Sequence, residues 1–218
     1  MIGALRLPRI GWAIGILLFA NVLIETALQA ADHGWDFDTS LRELAYQNGG
    51  FWPGLLQDWV PNYAAQPYTM WISYGFLHGG LLHLFMNMVT LWSLGLTIVQ
   101  RVGALKFYVV YIGSILGGAA GYAALWTVPQ PMVGASGALF GLAGAWLAWE
   151  YVDRFTARLG LWPVVRVVIL LVALNAVMWW SLKGLLAWQT HLGGFVAGWV
   201  VAMLIDPRPR GLRPDADA

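Results

Sequence analysis

The stretch VGASGALFGLAGAWLAWE, residues 133–150, decides what kind of fold this chain adopts. It carries no charge before Glu150, and its glycines at 137 and 141 stand four apart, the spacing that lets helix backbones approach closely. Such a segment belongs inside a bilayer, packed on other helices. It also opens with Ser136 between small residues, which poses the functional question. That serine is either a nucleophile or only a small side chain where two helices meet.

The same reading extends along the chain. Hydrophobic residues make up 59% of the 218 positions and charged residues 11%, and the mean hydropathy is +0.64, far from the soluble range. A bilayer core takes about 20 mostly apolar residues per helix, and six segments qualify, roughly 10–29, 72–98, 107–126, 134–152, 162–182 and 187–205. His78, Gly79 and Gly80 predict an entry loop before the true second helix at about 81. Arg6 and Arg9 ahead of the first run, with LQA behind it, resemble a signal peptide, but the run is long for one and the cleavage pattern is imperfect. With the N-terminus inside, ten of the twelve Lys and Arg residues fall on the inner side, leaving Arg42 and Lys183 outside. The expected fold is therefore an all-α membrane protein of six spans with both termini cytoplasmic.

The net charge of +1 gives no argument for nucleic acid, and the absence of cysteine removes disulfide frameworks, thiolate zinc sites and cysteine nucleophiles. The expected organisation is a membrane domain over 1–205 and a disordered, polar, Pro-rich cytoplasmic tail over 206–218. A long outer loop at about 30–70 carries Trp35, Phe37, Phe51, Trp52, Trp59, Tyr63 and Tyr68, a density that suits the headgroup region and predicts short helices partly buried there. Glycines recur at 113, 117 and 121, at 137 and 141, and at 194 and 198, so the third, fourth and sixth helices should pack closely.

Four polar groups inside the spans need a reason: His83 and Asn87 on the second, Ser136 opening the fourth, and His191 near the start of the sixth. Helices two, four and six run in the same direction, so all four lie at similar depth. Each alone has a packing explanation, because intramembrane serine, asparagine and histidine commonly bond a carbonyl or a neighbouring helix. His83 and Asn87, four apart, share one helix face. His191 is the titratable group that could take the proton of Ser136, giving a dyad. Ser136 opens a helix, so its N–H is an orphan donor at the positive end of the dipole, and with His83 and Asn87 it could form an oxyanion hole. H-E-x-x-H is absent, as is any pair of intramembrane aspartates, and GASGA is not G-x-S-x-G, since Ala138 stands where the last glycine belongs. No metal or cofactor is expected. Glu25, four after Asn21, reads as an interfacial residue that reaches water.

FLHGGLLHLFMNM on the second helix, LGLTIVQRVGALKFYVVYIGS through the next loop, GASGALFGLAGA on the fourth helix and HLGGFVAG on the sixth resemble the rhomboid intramembrane serine proteases in order and placement. The resemblance covers about 68–205. It implies a six-helix bundle in which Ser136 attacks a peptide bond of a single-span substrate near the outer face and His191 is general base, then acid. It implies further that His83, Asn87 and the Ser136 amide hold the oxyanion, and that Phe140 packs on the His191 ring. Gly134 and Gly137 flank the serine in support, while Gly194 and Gly198 let the sixth helix press on the fourth. The implied setting is the inner cell membrane with the site toward the extracytoplasmic side, and the partners are transmembrane substrates and the bilayer itself. By analogy helix five or the cap near Lys183 gates entry, with Trp179 and Trp180 as candidate closing residues.

Three features depart from what the family commonly shows: Thr190 stands where many members have alanine before the histidine, Val99 where an acid often lies four before Gly103, and the outer loop lacks the Trp-Arg pair that some members carry. The dyad would lack a buried carboxylate unless an outer-loop acid such as Asp58 orients His191. Two rival classes remain, a catalytically inactive client-binding relative and a small transporter. Inactive relatives generally lack the serine or the histidine, both present here, and no inverted repeat points to a transporter.

Overall fold

The computed structural model describes residues 7–34, 41–125 and 129–207. Trp35 and Phe37 of the aromatic loop, and the tail from 208 onward, lie outside the described residues. Within them the chain is helical: α1 (Leu7–Asp32), α2 (Leu41–Gly49), α3 (Gln66–Ser73), α4 (Leu81–Ala124), α5 (Ser136–Thr156), α6 (Trp162–Ser181) and α7 (Trp188–Ile205), with 3-10 turns at Pro53–Leu56 and Tyr74–Phe76. The expected second helix does start at Leu81. It continues into the expected third as the single run α4, broken at Gly103, whose φ of +83° suits a residue without Cβ. The two limbs are each about 30 Å long, the thickness of a hydrocarbon core.

Among the described residues, four helices are long and apolar enough to cross a membrane: α1 over Gly11–Asp32, α4, α6 and α7. α5 is less apolar because Glu150, Asp153 and Arg154 occupy its last turns. Its surroundings explain how it tolerates this. From Gly137 to Trp149 most of its side chains are buried, and it packs on α4 and α7 on its way through the bundle. α6 is the opposite case, exposed along most of its length, with Val164 its sole buried residue.

Glycine sets the central crossing. A Cβ on Gly194 would fall onto the carbonyl oxygen of Gly137, and one on Gly198 onto that of Gly141, so α5 and α7 touch backbone to backbone. Thr190 fits beside this crossing because Gly137 has no side chain. A Cβ there would come within 2.5 Å of the Thr190 methyl, while the hydroxyl bonds the Met132 sulfur. At the end of the bundle away from Ser136, Arg101 lies 5.0 Å over the Trp149 ring and pairs with Asp153 at 2.7 Å and Asp206 at 3.6 Å. These contacts hold the Gly103 turn, next to buried Val99, against α5 and the end of α7.

The loop between α1 and α4 does contain short helices, α2 and α3. Phe51 is fully buried, edge-on to Trp71, Tyr74 and Tyr122, whereas Trp59, Tyr63 and Tyr68 are exposed. Phe51 also pairs backbone to backbone with Met132, tying the loop to the segment that leads into Ser136.

Glu25 does not reach water. It is fully buried and paired with Arg42 at 2.9 Å, and Arg42 also binds Asp32 at 2.7 Å and donates to the His78 carbonyl at 3.0 Å. Burial opposes the charge on Arg42, yet its bonds to Glu25, Tyr46 and Asp32 outweigh this and raise its pKa. The single cation of the loop thus fastens α2 to α1 and to the entry of α4. Arg42→Ala, which leaves Glu25 buried without its counter-ion, is expected to cost about 3 to 5 kcal/mol of stability. Adding Glu25→Gln should recover part of that loss, and thermal unfolding in detergent micelles measures both.

Candidate active site

Ser136 is the first residue of α5, so its N–H precedes the helical hydrogen-bond ladder and points with the helix dipole toward the approach side. The turn before it depends on Gly134, with φ of +124° and its N–H on the Tyr74 carbonyl at 2.9 Å. A Cβ at Gly134 would stand 2.9 Å from His83 Nε2, so glycine here lets His83 draw near the serine.

His191 occupies the first turn of α7, 3% exposed, and its Nε2 lies 2.8 Å from Ser136 Oγ. Its ring stacks on Phe140, with centroids 4.2 Å apart and planes 7° from parallel. The backbone crossing at Gly137 and Gly194, one turn inside, brings the two helices this close. The Asp58 suggestion does not hold, for Asn175 on α6 occupies the other side of the ring, its Oδ1 2.6 Å from His191 Nδ1.

The direction of these bonds follows from one carbonyl. Asn175 Nδ2 donates to Leu171 O at 2.9 Å, which turns Oδ1 toward the imidazole. Oδ1 can only accept, so His191 Nδ1 carries the proton and Nε2 keeps a lone pair facing the Ser136 hydroxyl. That is the tautomer a general base requires.

His83 and Asn87 face the same space. His83 Nδ1 accepts from the Gly79 N–H at 3.1 Å, leaving Nε2 as the donor, turned toward Gly134 and Ser136. Asn87 is 6% exposed, and its Nδ2 has no hydrogen-bond partner among the described residues. A buried amide donor left unpaired is costly unless something arriving in the cavity accepts from it.

These groups line one cavity of about 670 Å³ walled in part by the first limb of α4 and by α6. Ser136, His191, His83 and Asn87 form its polar patch, and Met86, Leu171, Leu174 and Met178 line its apolar approaches. Trp179 and Trp180, the expected closing pair, are absent from this lining, and Trp180 is 79% exposed on the outer side of α6. Among the described residues no three His, Cys, Asp or Glu side chains converge as a metal site would need.

The sequence reading missed two residues. Asn175 falls on the inward stripe of α6, in step with Val164, Val168, Leu171 and Met178, and a lone amide on that stripe was a readable signal. His78 is fully buried, its ring 5.1 Å from that of His83 and its carbonyl held by Arg42 and Tyr46, so it backs His83 from behind.

A family model described as Rhomboid domain matches residues 65–208. Among similar proteins, RHOMBOID-like protein 5 of Arabidopsis thaliana is 34% identical over 142 residues, 64% of this chain and 44% of that protein. RHOMBOID-like protein 6, mitochondrial, of the same plant is 31% identical over 137 residues, 62% of this chain and 42% of that protein. Rhomboid protease GluP of Bacillus subtilis (strain 168) is 29% identical over 126 residues, 58% of this chain and 24% of that protein. The matches span less than half the length of these relatives.

Proposed function

The chain belongs to the rhomboid family, and from that membership we propose that it is an intramembrane serine endopeptidase acting on single-span membrane proteins through Ser136 and His191. The observation that carries this reading is the 2.8 Å approach of Ser136 Oγ to the lone pair of His191 Nε2, on a ring whose Nδ1 carries the proton, inside a cavity that also holds the Asn87 donor left unpaired among the described residues.

His191 Nε2 takes the hydroxyl proton as Ser136 Oγ bonds to the scissile carbonyl carbon. The carbonyl oxygen, now an anion, accepts from His83 Nε2–H, Asn87 Nδ2–H and the Ser136 N–H. Each donor of such a set is worth about 10² to 10³ in turnover. The imidazolium then passes its proton to the leaving amine, and a water activated by the same nitrogen hydrolyses the acyl-enzyme. The polar patch of the cavity supplies the hydration that this second step needs. Protein side chains and water suffice for each step, with no metal or cofactor.

We place the molecule in the inner cell membrane with six crossings over 1–205, the tail 206–218 and both termini in the cytoplasm, and the site toward the extracytoplasmic face. The support is the distribution of basic residues, ten of twelve on the inner side. The cavity is walled in part by α4 and α6, and a transmembrane segment would reach it between these two helices.

The test is cleavage of single-span reporters in membranes, together with fluorophosphonate labelling of the wild type. Labelling and a defined cleavage product are expected. A wild type that does neither, across reporters with varied juxtamembrane sequences, would overturn the reading in favour of client binding without catalysis.

A further inference from the structure

α6 is exposed over most of its length, and its sheltered positions follow a stripe that includes Val164, Val168, Leu171, Asn175 and Met178. Asn175 is the polar member of that stripe, and both ends of its amide are engaged, Nδ2 by Leu171 O at 2.9 Å and Oδ1 by His191 Nδ1 at 2.6 Å. An asparagine present only to pin α6 to the bundle could meet any backbone carbonyl on α5. This one spends its acceptor on the base of the dyad.

We infer that Asn175 is a positioning residue for catalysis: it fixes the Nδ1–H tautomer and the ring orientation of His191, filling the place a carboxylate holds in a triad, from a helix that contributes nothing else polar to the site. The inference rests on the dyad reading above. Without the acceptor, neutral imidazole is free to carry its proton on Nε2, and that tautomer cannot receive the serine proton. Phe140 still stacks on the ring, so the ring remains near its place while its protonation pattern is lost. The role is chemical, so substrate binding in the cavity should be nearly indifferent to it. A further consequence is that the base is set only while α6 is seated, and the same helix forms one wall of the cavity.

The experiment compares wild type, Asn175→Ala, Asn175→Leu, Asn175→Asp and, as control, Ser136→Ala, with reporter kinetics and fluorophosphonate labelling rates in detergent micelles. Thermal unfolding of each gives the folded fraction. The expected result is kcat lower by roughly 10- to 100-fold in Asn175→Ala and Asn175→Leu with KM within about twofold, a split that marks loss of transition-state stabilisation alone. Labelling should slow in parallel. Asn175→Asp keeps an acceptor oxygen at the same place and should recover at least part of kcat over Asn175→Leu. Wild-type kcat in folded Asn175→Ala or Asn175→Leu overturns the inference, as does a loss explained wholly by unfolding or one that Asn175→Asp shares in full while folded. Failure of the dyad reading looks different, because then the wild type itself neither cleaves nor labels.

Discussion

Ser136→Ala and His191→Ala are each expected to lower reporter cleavage by about 10⁴- to 10⁶-fold, and the double variant to be no slower than the worse single one. The reason lies in the geometry. The serine hydroxyl has one base within reach, at 2.8 Å, and the base has one acid to serve. Once either is gone the other has nothing to do, so the second substitution removes no further stabilisation. Labelling should vanish in Ser136→Ala, which lacks the attacking oxygen, and be strongly slowed in His191→Ala, which keeps the oxygen without its base. Membrane levels should stay near wild type in Ser136→Ala, because deleting one half-buried hydroxyl opens little space. Losses that multiply in the double variant would mean that the two residues act in separate ways and that the dyad is wrong.

Much of this site was legible in the sequence because membranes make polar residues expensive. His83, Asn87, Ser136 and His191 stand out against apolar helices, and the alternation of chain direction predicts one depth for them. The start of α4 followed from His78-Gly79-Gly80, and the short helices of the loop from its aromatic density. Asn175 is harder to read, since shared chain direction links helices two, four and six, whereas the acceptor for His191 comes from a helix running the other way. Glu25 was misjudged for a different reason. Its counter-ion, Arg42, lies seventeen residues on in a loop whose path no periodicity reveals, so the ion pair exists only in three dimensions. The tryptophan pair of α6 was likewise assigned by its position along the helix, while helical phase turns Trp180 outward and leaves Leu174 and Met178 on the cavity.

Gly198→Val is expected to abolish more than about 99% of cleavage and to lower thermal stability as well. A Cβ at this position would overlap the carbonyl group of Gly141, and the obstacle is backbone, which cannot turn aside as a side chain does. The helices must separate instead. Overpacking of this kind costs about 1 to 3 kcal/mol and often more. The dyad suffers beyond the stability loss, because Ser136 rides on α5 and His191 on α7, and a displacement near 1 Å at the reacting atoms is worth about 10²-fold in rate. Gly113 supplies the contrast. A Cβ there meets only the Val201 side chain, at 3.1 Å, on the crossing of α4 with α7. Val201 can shift by a few tenths of an ångström, so Gly113→Ala should keep most of its activity. The comparison separates a general intolerance of larger residues in membrane helices from a specific demand at the α5 and α7 crossing. Equal damage at both positions would support the first. Loss at Gly198 alone would mean that the bare backbone contact between these two helices sets the distance between nucleophile and base.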